Sequence, residues 1–236
     1  MDSSAVVVPG EGCGEVLSQV IRKLSPLLEK RATIRRDVLS MMSDIPSKVA
    51  TMPPSPEEFS RFCKGAHDFF IKFDSPVRTI VLRVLRLSLL SKEHCQCIVD
   101  EELHWIVVVC LEREREYLAE RMQALKLIRK FMSIASDIFP SAFARSLVAI
   151  ASHKDEHLRR VCMETLRELM VANPKLIAAV NGLSVLLEAV LEPSYQDIAE
   201  PILLSLMYLL NDPKSRKFIR PYLDLHTLVR KNEICY

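Results

Sequence analysis

Glycine is scarce: the chain has 5 in 236 residues, roughly 2% where about 7% is usual. Phosphate-cradling loops, dinucleotide-binding turns and tight hairpins all draw on glycine for positive φ or close backbone approach, so an architecture rich in them is excluded. An all-helical chain needs few glycines. An excess of one charge is missing too, because 32 Lys and Arg face 30 Asp and Glu for a net charge of +2. That balance gives no field strong enough to gather nucleic acid or an anionic membrane. Long apolar runs are absent: the densest, Pro201 to Leu210, is about half of what a membrane span requires. The opening MDSSAVVVPGEGCGE has no basic start, and its apolar run, Ala5 to Val8, is too short for a signal peptide. The cysteines (Cys13, Cys63, Cys95, Cys97, Cys110, Cys162 and Cys235) are odd in number and irregularly spaced. They suit reduced thiols, not a disulfide framework, and the expected location is the cytoplasm.

What is present is helical periodicity. Residues 1–14 hold three of the five glycines and little pattern, and are expected to be a disordered tail. Val16, Leu17, Val20, Ile21, Leu24, Leu27 and Leu28, then Ile34, Val38, Leu39 and Met42, recur at helical spacing, so residues 15–45 are expected to form N-terminal helices. Residues 46–56, PSKVATMPPSP, carry four prolines in eleven residues and are expected to be a linker. Ser55, Pro56, Glu57 and Glu58 then supply a cap, a first-turn proline and acids for a helix reaching roughly Phe73.

After Asp74 the chain repeats itself. VRTIVLRVLRL from Val77, ERMQALKLIRK from Glu120, LRRVCMETLREL from Leu158 and AEPILLSLMYLL from Ala199 superpose without gaps. Placing Leu85, Ile128, Leu166 and Met207 in one column spaces them by 43, 38 and 41 residues. Each segment is followed by a second apolar stretch: His94 to Leu111, Phe139 to Ala151, Pro174 to Leu191, and Phe218 to Val229. Two helices in about 40 residues is the period of HEAT and armadillo arrays. The expected fold is therefore all-α: a right-handed armadillo/HEAT-like superhelical solenoid over residues 57–236, with an irregular helical N-terminal segment. Prolines at 76, 140, 174, 213 and 221 sit where helices start, and Asn181-Gly182 marks a break inside the third repeat's second helix. Ser194 and Asp197 have capping-box spacing, and Pro201 must begin or kink its helix. Ile202, Leu203, Leu204 and Leu206 are too apolar for a helix with one wet face, and need cover on two sides.

Catalytic constellations are not evident. His94, Cys95 and Cys97 cluster, but residues two apart on a helix diverge and no second Cys/His pair matches them, so packed thiols are expected and no metal. His153 and His157 lie four apart without a third ligand, and suit a solvated turn. In EREREYLAER, Glu112 to Arg121, acids and arginines intermingle as on an exposed, ion-paired helix start. Trp105 and the phenylalanines fall in apolar stripes and are expected in the core. No nucleophile elbow, P-loop or kinase glycine loop occurs, so neither an enzyme, a cofactor nor a small-molecule substrate is expected. A hydrolase or transferase built on His153 or His157 is the remote alternative.

The stretches ERMQALKLIRKFMSIASDIFPSAFARSLVAIA, LRRVCMETLRELMVANPKLIAAVNGLSVLLEAVLE and ILLSLMYLLNDPKSRKFIRPYLDL resemble the N-terminal helical-repeat region of the Rictor/pianissimo family. That family is the non-catalytic scaffold subunit of the second target-of-rapamycin (TOR) complex. The resemblance implies a scaffold whose protein partners are the target-of-rapamycin kinase and a Sin1-like subunit. Family members are much longer than this chain. An unrelated armadillo adaptor in transport or cytoskeletal assembly is the alternative.

The repeats also align their basic residues. Arg78, Arg121 and Arg159 share one position, Arg86, Arg129 and Arg167 another, and Arg83 and Lys126 a third. In a solenoid, equivalent positions form a ladder along one surface. Arginine's planar fork can clamp a partner's carboxylates there, or it can tie neighbouring repeats together through ion pairs and helix-end carbonyls. These eight residues are the candidate partner-binding set.

Overall fold

Ser55 opens the first helix with a complete capping box: its hydroxyl accepts from the Glu58 N–H at 3.3 Å, and the Glu58 carboxylate accepts from the Ser55 N–H at 2.9 Å. The computed structural model describes residues 53–153 and 156–223. The expected tail, the helices over 15–45, most of the linker and the stretch from 224 to 236 lie outside the described residues. The described part is all-helical, without strands. It divides into two compact units, with the boundary between Ile106 and Val107.

In the first unit, helix α1 (Pro56–Lys72) buries Phe59, Phe62, Cys63, Ala66, Phe69 and Phe70, an i, i+3, i+4, i+7 stripe. It packs against α2 (Ser75–Ser88) and α3 (Lys92–Asp100). His94 of α3 fastens the start of α1. Its Nδ1 accepts from the Leu90 N–H at 3.3 Å, its Nε2 donates to the Pro54 carbonyl at 3.2 Å, and its ring lies 4.8 Å from that of Phe59. Burial lowers the His94 pKa, opposed by the Pro54 bond. Cys63 is also buried, which raises its thiol pKa well above the ordinary value. The single second helix expected from His94 to Leu111 is two helices, α3 and α4 (Leu103–Leu111), because Glu102 turns into the left-handed region at φ 56°. No glycine or asparagine announces that break. Trp105 is 54% exposed, not in the core. Helix α4 is apolar nearly all round, so composition does not reveal which side it buries.

The second unit continues with α5 (Leu118–Ala135), α6 (Ser141–Ser152), α7 (Arg159–Ala172), α8 (Pro174–Ala179), α9 (Gly182–Val190), α10 (Gln196–Asn211) and α11 (Pro213–Ile219). First helices touch in sequence, α5 on α7 and α7 on α10, and second helices likewise, α6 on α8 and α8 on α11. Between α5 and α6, Phe131, Phe139 and Phe143 form an edge-to-face cluster with ring centres 5.5 to 5.9 Å apart. The break at Asn181-Gly182 is where the sequence places it: Asn181 takes φ 59°, and a Cβ on Gly182 would lie 2.4 Å from the Ile177 Cδ1. Pro201 sits inside α10, and the Ser205 hydroxyl donates to its carbonyl at 2.9 Å. The Ser194/Asp197 capping box does not form. Residues 193–195 make a 3-10 turn, and Asp197 pairs with Arg160 instead.

Burial corrects the repeat register at one step. Leu82, Leu125 and Met163 are all fully buried, as are Leu85, Ile128 and Leu166, in agreement with spacings of 43 and 38. In α10 the buried residues are Ile198, Ile202, Ser205, Leu206 and Leu209, which match Leu158, Cys162, Thr165, Leu166 and Leu169 at a spacing of 40 instead of 41. Leu206, not Met207, therefore takes the core position. The one-residue error arises because α10 is apolar on both faces, so several alignments satisfy the pattern equally. Leu203 and Leu204, expected to be covered, are exposed.

Candidate partner-binding surface

Each first helix begins just after the preceding repeat's second helix ends, where the last carbonyls lack intrahelical partners. Two arginines of the first row use this. The buried Arg121 donates from Nε to the Leu111 carbonyl at 2.9 Å, at the end of α4. The buried Arg159 donates from Nε to the Ala151 carbonyl at 2.9 Å, near the end of α6.

The rest of each guanidinium turns to a carboxylate further along the chain. Arg121 Nη1 meets Glu156 Oε1 at 3.1 Å. Arg159 holds Glu192 with both terminal nitrogens, at 2.7 and 3.0 Å, and its guanidinium lies 4.7 Å from the Tyr195 ring centre. One side chain thus fixes the end of one helix, the start of the next, and the segment leading to the first helix of the following repeat. Burial alone would raise the Glu156 pKa, but hydrogen bonding and charge from Arg121 bring it below the ordinary carboxylate value. The Glu192 bond raises the Arg159 pKa. Arg78, in the first turn of α2, is half-buried.

The second row is wetter. Arg129 Nη2 reaches Glu168 Oε1 at 2.8 Å, linking α5 to α7, with both side chains 36% exposed. Arg167 Nη1 lies 3.4 Å from the Ser205 hydroxyl, linking α7 to α10. Arg86 is half-buried and its Nε has no hydrogen-bond partner among the described residues. Burial, then the charge of Arg83, lowers its pKa. Arg83 and Lys126 are exposed.

Other charged residues join this surface without having been singled out by the repeat alignment. Arg160 pairs with Glu164 at 3.4 Å and with Asp197. The acid and arginine run from 112 to 121 is only partly solvated: Glu120 is fully buried at the position of Val77 and Leu158, and meets Arg113 at 3.2 Å. The Arg113 guanidinium also covers the Tyr117 ring at 3.9 Å. The repeat alignment itself held the signal, an acid in an otherwise apolar column. His153 and His157 are both exposed. No group of three or more His, Cys, Asp or Glu side chains suited to a metal converges among the described residues, and no described helix is long and apolar enough to cross a membrane.

Known proteins share this chain's sequence over most of its length. The family model described as "Rapamycin-insensitive companion of mTOR, N-term" matches residues 19–231. Protein pianissimo A of Dictyostelium discoideum is 30% identical over 217 residues, covering 91% of this chain and 19% of its own length. The rapamycin-insensitive companion of mTOR of Mus musculus is 29% identical over 163 residues, covering 64% of this chain and 10% of itself. Target of rapamycin complex 2 subunit ste20 of Schizosaccharomyces pombe is 32% identical over 161 residues, covering 66% and 12%. The chain thus spans between a tenth and a fifth of the length of these relatives. The match covers all the described repeats, and the chain belongs to the Rictor/pianissimo family, in the part that corresponds to its N-terminal region.

Proposed function

We propose that this chain is a non-catalytic scaffold, the N-terminal helical-repeat part of a Rictor-like subunit of TOR complex 2, which supports kinase-complex assembly and signalling in the cytoplasm. The observation that carries the reading is the family match across residues 19–231, together with relatives whose names place them in that complex. The layered contacts α5–α7–α10 and α6–α8–α11 support an armadillo-like solenoid, right-handed as such arrays are. Its partners are then the target-of-rapamycin kinase and a Sin1-like subunit.

Partner contact falls to Arg83, Arg86, Lys126, Arg129 and Arg167, whose donors are exposed, unpaired or shared with wet carboxylates and hydroxyls. Arg78 of the first unit completes the set with Arg121 and Arg159 of the second, where Arg121 and Arg159 hold helices in place. Affinity purification from the native source tests the assignment: recovery of a target-of-rapamycin kinase with a Sin1-like subunit supports it, and their consistent absence contradicts it. Replacing Arg86, Arg129 and Arg167 together with Gln is expected to reduce that recovery while leaving the melting temperature unchanged.

A further inference from the structure

We propose that helix α10 is a self-association surface, through which two copies of this chain pair antiparallel about a two-fold axis. At a spacing of 40, Leu204 stands where the other repeats carry Arg83, Lys126 and Glu164, and Met207 stands where they carry Arg86, Arg129 and Arg167. Tyr208 replaces Leu87, Lys130 and Glu168. Helix α10 is the one described first helix whose solvent face has exchanged its charges for apolar side chains. Leu203, at a position fully buried in the three other repeats, joins them in the open. The four are 46%, 57%, 61% and 66% exposed in chain order, and they form one i, i+1, i+4, i+5 stripe. A soluble monomer rarely leaves a contiguous apolar patch of a few hundred Å² uncovered.

The ends of the stripe select the occupant. At its N-terminal end stand Asp197, which already pairs with Arg160 of the same chain, and Glu200, which makes no ion pair among the described residues and is the acid left for a partner. Just beyond its C-terminal end stand Lys214, Arg216 and Lys217, all exposed. A second copy laid antiparallel places the acids of each α10 beside the bases that follow the other, at both ends, with leucine, methionine and tyrosine between. A parallel arrangement would set acid on acid and base on base. The antiparallel one also opposes the helix dipoles, and its two-fold symmetry closes the assembly at two copies. The contact is modest beside the ~800 Å² per partner of a stable complex, so association is expected in the micromolar range.

Sedimentation velocity of the 236-residue chain from about 1 to 100 μM tests this. The expected result is a monomer–dimer equilibrium in the wild type, and a monomer throughout for Leu204→Glu with Met207→Glu, at unchanged helix content and melting temperature. Glu200→Lys is expected to weaken the dimer by about tenfold or more, and adding Lys214→Glu to restore it. A wild type that stays monomeric overturns the proposal, as does a dimer that survives the double glutamate variant. Growth beyond two copies would show a head-to-tail contact and overturn the two-fold pairing. A large fall in melting temperature with Leu204→Glu and Met207→Glu would show that the chain covers its own stripe, and equally overturn it.

Discussion

Two rows of arginine run through the same repeats, and they differ in what surrounds them. In the inner row, Arg121 and Arg159 are buried, each spending Nε on a helix-end carbonyl and its terminal nitrogens on a carboxylate. In the outer row, Arg129 shares a half-wet carboxylate, Arg167 reaches a serine at 3.4 Å, and Arg86 has an Nε with no partner among the described residues. The sequence offers the same residue type in both rows. Burial decides that the first holds helices together, while the second keeps charge available at the surface.

The largest effect should follow from breaking the inner row. Arg159→Ala leaves Glu192 without its bidentate partner and the Ala151 carbonyl uncapped, and is expected to cost about 3 to 5 kcal/mol of stability, read as a lower urea midpoint. Arg159→Lys keeps the charge but loses the fork, so it should recover only part of that loss.

Acid should weaken the same row. Because Arg121 holds Glu156 ionised below its ordinary value of 4.5, the unfolded chain takes up the proton first as pH falls. Glu156 contributes stability above that value and loses it as pH drops through and below it. Thermal melts over this window should show a shallower acid dependence in Glu156→Gln than in the wild type.

In the outer row, Arg129→Gln removes a half-exposed ion pair, and the expected cost is about 0.5 kcal/mol or less by urea denaturation. Arg86→Gln should be smaller still, near zero or slightly stabilising. It withdraws a charge that burial disfavours and leaves no carboxylate stranded. A loss above about 2 kcal/mol for either variant would place it with the inner row and erase the distinction.

Much of this contrast was legible in the residues. Prolines 76, 174 and 213 mark helix starts, and the columns that align Leu82 with Leu125 and Met163 are core columns. Asn181-Gly182 also breaks its helix as its composition indicates. The alignment set the arginines in rows, but it left open which row faces inward. Position in the column does not say whether a carbonyl such as that of Leu111 lies within reach of a side chain ten residues on. Helix α10 misled because both of its faces are apolar, so periodicity fixed its phase only to within one residue. Glu120 and Trp105 show the same limit from opposite sides: an acid is buried because Arg113 accompanies it, and an indole is exposed because α4 has apolar residues to spare.

The most direct test sets the two rows against each other under one condition. Arg121→Gln with Arg159→Gln, and separately Arg129→Gln with Arg167→Gln, would be compared with the wild type by urea denaturation followed by helix circular dichroism. The expected loss is more than about 4 kcal/mol for the inner pair and less than about 1 kcal/mol for the outer pair. Equal losses, or a larger loss for the outer pair, would contradict the distinction between the rows.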